Sequence, residues 1–218
     1  MNFERLFGFL EILNANNSKE WMDEHRGQYE TVKADYVKWL EDLDLQLSKL
    51  DENYYSSSGK KAINRINNNL LYHSNKPTYK DHFGAGLDKR PKTGDFYIHL
   101  GIEECFVAGG FYKPKSELLK SIREAIDYNG DEFKKIINTK SFQKHFEGLM
   151  EDEDQLKTSP KGFTQDHKHI DLLRLKSFAA MKPFNRKEIL ADDFKEKVIE
   201  AYKVMLPFRR YLNKAVTV

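Results

Sequence analysis

Phe96-Tyr97-Ile98-His99-Leu100, then Gly101-Ile102-Glu103-Glu104, then Cys105-Phe106-Val107-Ala108 is the stretch that decides the fold class. Apolar residues at 96, 98 and 100 alternate with 97 and 99, which is the period-two pattern of a strand. A short turn follows, and the alternation resumes at Cys105, so the two runs predict an antiparallel hairpin. Gly109-Gly110 closes the second run. Paired glycines allow positive φ and close backbone approach, which suits a bulge or a ligand-facing turn, and the bulge is the favoured reading.

Around this hairpin the periodicity is helical. Phe3, Leu6, Phe7, Leu10 and Leu13 have helix spacing, and Asn14-Ala15-Asn16-Asn17 ends the run. Asn17 with Glu20 resembles a capping box. Trp21, His25, Tyr29, Val32, Tyr36, Leu40, Leu43 and Leu47 then predict one long amphipathic helix over 18–49, bent near Asp35. Helices are also predicted over 116–128, 132–138, 141–150 and 170–175, with a closing helix over 192–213. Residues 62–66 and 177–181 read as short strands, and 84–94, rich in Gly, Lys, Arg and Pro, as an exposed loop. The sum is an α+β fold. One domain is expected over 1–218, with a small, mainly antiparallel sheet flanked by a long N-terminal helix and a C-terminal helix.

Composition narrows the function classes. The 218 residues include 15 Phe, 11 Tyr and 2 Trp, enough for a sizeable core, and 36 basic residues nearly cancel 34 acidic ones. Aromatic content of this order with a net charge of +2 excludes intrinsic disorder. No apolar run approaches the roughly 18 residues of a membrane span. The start, Met1-Asn2-Phe3-Glu4-Arg5, does not have the form of a signal peptide. A single cysteine, Cys105, forms no intrachain disulfide, which fits a reducing cytoplasm. The pI near 8.4 falls short of a nucleic-acid-binding footprint.

The charge is unevenly placed. Residues 1–58 carry six basic and twelve acidic residues, whereas 59–92 carry eight basic against two acidic. Arg65, Lys76, Tyr79, Lys80 and His82 interleave cations with rings, a pattern that can hold phosphate or carboxylate groups. The alternative is a solvated loop neutralised by the acidic N-terminal helix. Asp166-His167-Lys168-His169 could supply a general acid/base or, on a strand, a metal-ligand pair, or simply cap a helical turn. No spacing of a metal-binding or cofactor motif is present, so no metal and no cofactor are expected. Cys105 lies six residues from His99, but among Phe106, Val107 and Ala108 it reads as a small core residue.

Several ordered blocks resemble one family. They are Asn16-Asn17-Ser18-Lys19-Glu20-Trp21-Met22 with Arg26 and Tyr29, Arg65-Ile66, and Lys76 to Lys80. Phe106-Val107-Ala108-Gly109-Gly110 with Tyr112 and Pro114, Pro160-Lys161-Gly162-Phe163 with Asp166-His167, and Lys176-Ser177-Phe178 complete the set. On these the chain resembles the mainly bacterial family catalogued as domain of unknown function 2461, from Phe3 to about Asn213. The resemblance implies a single domain of this length and brings no established activity, cofactor or partner. The family's central motif runs Arg-Ile-x-Arg-Asp-x-Arg-Phe-Ser, then Asp-Lys-x-Pro-Tyr-Lys. Asn68, Asn69, Leu71 and Asn75 here stand where that motif has Arg, Asp, Arg and Asp, and His73 replaces Ser.

The first functional expectation is a cytoplasmic binding domain for a small anionic ligand. Arg65, Lys76, Lys80 and Lys176 would supply charge, Tyr79 a stacking face, and Gly109 and Gly110 backbone donors. The second is a hydrolase or transferase with His167 as general acid/base oriented by Asp166, and the third a protein-interaction scaffold using the aromatic N-terminal helix. Nucleic acid and membrane are not expected partners.

Overall fold

The computed structural model describes residues 1–71, 74–151 and 153–217. In chain order the elements are α1 (Phe3–Ala15), α2 (Lys19–Glu24), α3 (Arg26–Leu47), α4 (Gly59–Ala62), β1 (His82–Leu87), β2 (Phe96–Gly101) and β3 (Cys105–Phe111). They continue with α5 (Ser116–Ile137), α6 (Lys140–Phe146), α7 (Ile170–Leu173), β4 (Phe178–Pro183), α8 (Arg186–Leu190) and α9 (Phe194–Thr217). The strands form one antiparallel open sheet in the order β1-β2-β3-β4, so the fold is α+β with the hairpin at its centre.

The chain forms two compact units. The first comprises Met1–Asp88, Tyr97–Val107 and Pro183–Ile199, and the second Lys89–Phe96, Ala108–Lys182 and Glu200–Val218. The first unit is held by rings. Trp39 stacks on Phe194 at 5.8 Å, Phe3 meets both edge-on, and Tyr36 packs against Trp39 and Phe83. Leu6, Leu10, Leu13, Leu40, Leu43 and Leu47, all buried, fill the space between α1 and α3. Burying aromatic side chains at this density is the main source of stability for such a unit. In the second unit Phe133, Phe142 and Phe178 pack with Phe208, directly or through one another, and Phe96 meets Tyr202 edge-on.

Four expectations change. The helix expected over 18–49 is two helices, and the break is at His25 rather than near Asp35. There the His25 ring stacks on Trp21 at 4.1 Å and donates from Nδ1 to the Trp21 carbonyl at 2.8 Å, while the backbone leaves helical geometry. Ser18, not Asn17, caps α2, accepting from the Trp21 N–H. Residues 84–87 are a buried strand rather than exposed loop, with Phe83, Ala85 and Leu87 facing the core. The strand expected over 62–66 is replaced by two isolated bridges, Ile63 with Ala85 and Asn67 with Tyr79. In addition, α5 runs through the two helices expected over 116–138, marked only by a kink at Asn129 (φ −143°, ψ 46°).

Candidate functional site

The basic segment is built on the two bridges of the first unit. Ile66 and Asn68 exchange backbone hydrogen bonds with Lys80 and Thr78, and the Asn68 side chain donates to the Pro77 carbonyl at 2.9 Å. Asn68, one of the positions that departs from the family motif, thus closes the intervening loop with a neutral hydrogen bond. His73, another departure, lies outside the described residues.

In a non-hydrogen-bonded antiparallel pair, the backbone groups of the central residue point away from its partner strand. The Tyr79 N–H and C=O therefore face the other way, and the Asn17 side chain satisfies both. Tyr79 N donates to Asn17 Oδ1 at 2.9 Å, and Asn17 Nδ2 donates to Tyr79 O at 3.0 Å. Asn17 substitutes for one more strand. Replacing it with alanine leaves both groups without these partners and is expected to cost about 2 kcal/mol in urea unfolding, at about 1 kcal/mol per bond. A loss below ~0.5 kcal/mol would show that the clamp carries nothing.

Tyr79 itself is 3% exposed, so its ring packs in the core in place of offering the expected stacking face. Arg65, Lys76 and Lys80 are drawn together instead. Lys80 Nζ donates to the Arg65 carbonyl at 2.5 Å, and its pKa is lowered, first by burial and then by the neighbouring Arg65 and Lys76 cations. Among the described residues no carboxylate forms an ion pair with any of the three. The acidic helices pair elsewhere: Asp23 with Lys19 and Arg26, Asp35 with Arg5, Asp42 with Lys195, Glu11 with Arg186. Buried Asp44 accepts from the Tyr54 and Ser56 hydroxyls.

Three rings from β1, β2 and β3 form a row. His82 stacks on His99 at 4.0 Å, and His99 stacks on Phe106 at 4.7 Å. His82 Nδ1 pairs with Asp81 at 2.9 Å, and the Tyr97 hydroxyl meets His99 Nδ1 at 3.4 Å. A Cβ on Gly84 would overlap the Tyr97 hydroxyl and crowd Asn64 Nδ2 at 3.2 Å, so the glycine makes room for both polar groups. Burial, reinforced by the adjacent His82, lowers the His99 pKa to about 4. Asn64 and Tyr97 drew no notice in the sequence; the signal that bore on them was Gly84 alternating with Phe83 and Ala85. Cys105 donates its thiol to the Gly101 carbonyl, and burial raises its pKa, the reverse of what a nucleophilic thiolate needs.

The remaining candidates lie in the second unit. His167 Nδ1 accepts from the His169 N–H at 3.1 Å, which leaves Nε2 to donate to Asp127 at 2.9 Å. Both ring nitrogens thus tie the start of α7 to α5. Asp166, expected to orient His167, instead accepts from Thr164, which lowers its pKa. Gly109 packs against Met205 and Arg209, and Gly110, at φ +102°, against Phe178 O and Phe208, so both serve close packing. Lys176 lies in the field of Asp154, whose main partner is Lys113 at 2.5 Å. Among the described residues no group of three His, Cys, Asp or Glu could hold a metal ion, and no helix is long and apolar enough to cross a membrane.

An α+β chain with a clustered set of three cations that have no carboxylate partner among the described residues is thereby defined. It belongs to the family described as Conserved hypothetical protein (DUF2461), whose model matches residues 5–211. No curated protein and no solved structure matches the chain.

Proposed function

We propose that the chain binds a small anionic ligand, bearing phosphate or carboxylate, through Arg65, Lys76 and Lys80. The observation that carries this reading is the crowding of three cations with no carboxylate partner among the described residues, while the nearby acids are engaged elsewhere. Like charges so placed raise the energy of the empty site, and an anion relieves it while accepting charge-assisted hydrogen bonds. The Arg65 carbonyl holds the Lys80 ammonium in place, so little ordering cost remains at binding. A net charge of +2 favours a small ligand over a nucleic acid. The lone buried thiol supports a cytoplasmic setting.

A thermal-shift titration with inorganic phosphate, pyrophosphate and citrate tests the reading. An anion at about 100 times its Kd stabilises by roughly 2.7 kcal/mol, which for a domain of this size raises Tm by roughly 5–10 °C. The Arg65→Met and Lys80→Met variants are expected to lose that rise while melting no lower than the wild type without anion, because each removes repulsion. A rise that persists in both variants would place the anion elsewhere.

A further inference from the structure

In the second unit, His169 stands at the start of α7 with its ring against α5, and the residue is 4% exposed. The ring fills a notch over Gly130, one residue past the Asn129 kink. A Cβ on Gly130 would fall 2.5–2.8 Å from the ring atoms Cδ2, Cγ and Nε2. Nδ1 of the ring is buried with no hydrogen-bond partner among the described residues, and Nε2 lies 3.7 Å from Asp131 Oδ1. The His169 N–H donates to His167 Nδ1, and the His169 carbonyl accepts from the Leu172 and Leu173 N–H groups at 3.0 Å. Further ties between the segments are His167 with Asp127, Lys168 with Asp131 and Lys134 with Asp171, all through exposed carboxylates. Exposed pairs hold little, so the buried ring is the anchor.

We propose that residues 167–170 form an acid-released clasp: a proton taken up by His169 drives its ring out of the notch and frees the start of α7 from α5. Protonated Nδ1 would be a buried donor with a full charge beside it and no acceptor among the described residues, a costly arrangement. Asp131 on α5 favours the charged ring, but Lys168 already holds that carboxylate. Lys134 on α5, with Lys168 and His167 on the clasp itself, acts with burial in the opposite sense. Burial is the largest influence, and the ring's pKa is lowered from 6.5. His167 faces Asp127 on α5 and has Asp166 in its field. With protons on both nitrogens it no longer accepts from the His169 N–H. The clasp is therefore closed above pH 6.5 and opens as pH falls below it, with buried Leu172 and Leu173 as the pivot.

The test is residue-resolved amide exchange at pH 7.5 and pH 5.5 in the wild type, His169→Phe and Gly130→Ala. Corrected for the intrinsic effect of pH, protection of the His169, Leu172 and Leu173 amides is expected to fall by up to about tenfold at pH 5.5, relative to buried Ile126 of α5. His169→Phe keeps a flat ring in the notch and takes up no proton there, so most of that fall is expected to vanish. Gly130→Ala fills the notch, so its clasp is expected to be open already at pH 7.5. Protection that falls no more than that of Ile126 in the wild type, or that falls equally in His169→Phe, overturns the proposal. A Gly130→Ala clasp as well protected as the wild type at pH 7.5 overturns it too, and that comparison decides the matter if His169→Phe does not fold.

Discussion

Gly110→Ala is expected to destabilise the protein by about 3 kcal/mol or more, enough to lower Tm by roughly 10 °C. Gly110 has φ +102°, where an L side chain strains the backbone by about 1–2 kcal/mol. A Cβ there would also overlap the Phe178 carbonyl and press on the Phe208 ring. The overlap is with backbone of the paired strand β4, which moves only by disturbing the sheet. Gly162→Ala isolates the first cost from the second, since Gly162 has φ +95° but nothing within 4 Å of a Cβ. It is expected to cost only about 1 kcal/mol. Guanidinium unfolding of the two variants side by side decides the matter, and equal losses would show that the approach to Phe178 is not the constraint.

The second large effect is on acid stability. In the folded chain the His99 pKa is lowered from 6.5 to about 4, by burial first and by neighbouring His82 second, with Asp81 acting in the opposite sense. Tyr97, Phe106 and Glu104 complete its surroundings. Between pH 6.5 and about 4 the unfolded chain therefore takes up a proton that the folded chain refuses. The stability is fully present above pH 6.5 and is lost as pH falls through that window, by about 2–3 kcal/mol at pH 4.5 relative to pH 7. His99→Gln stays neutral throughout, so its stability is expected to fall less over the same range by that amount. Parallel pH profiles for the wild type and His99→Gln, read from urea midpoints, would contradict the assignment.

The sequence carried the parts of the fold that local pattern encodes. The β2–β3 hairpin follows from alternation at 96–100 and 105–108, and the stop at Tyr128 marks the kink at Asn129. Strand β1 was hidden because two of its three outward positions are Gly84 and Gly86, which leave the alternation without a polar partner, and because the charges of 89–92 made the whole stretch look like a loop. Asn17 carries the residue type of a cap, and only the fold reveals that its amide clamps Tyr79, 62 residues away. For the histidines the relevant partners are equally distant in sequence. His167 pairs with Asp127, 40 residues back, rather than with its neighbour Asp166. His99 stacks between His82 and Phe106 and makes no pair with Cys105. The basic segment was legible as a charge pattern. That its cations lack carboxylate partners among the described residues was not, because which acids are already paired is a property of the packed helices.

Direct titration of inorganic pyrophosphate, at low and at high salt, into the wild type and the Arg65→Met/Lys80→Met double variant tests the cation cluster most closely. Saturable one-to-one binding is predicted, weaker at high salt because ions screen the exposed charges, and absent from the folded double variant. A wild type that takes up no pyrophosphate at low salt, or a double variant that binds it equally well, would contradict the account.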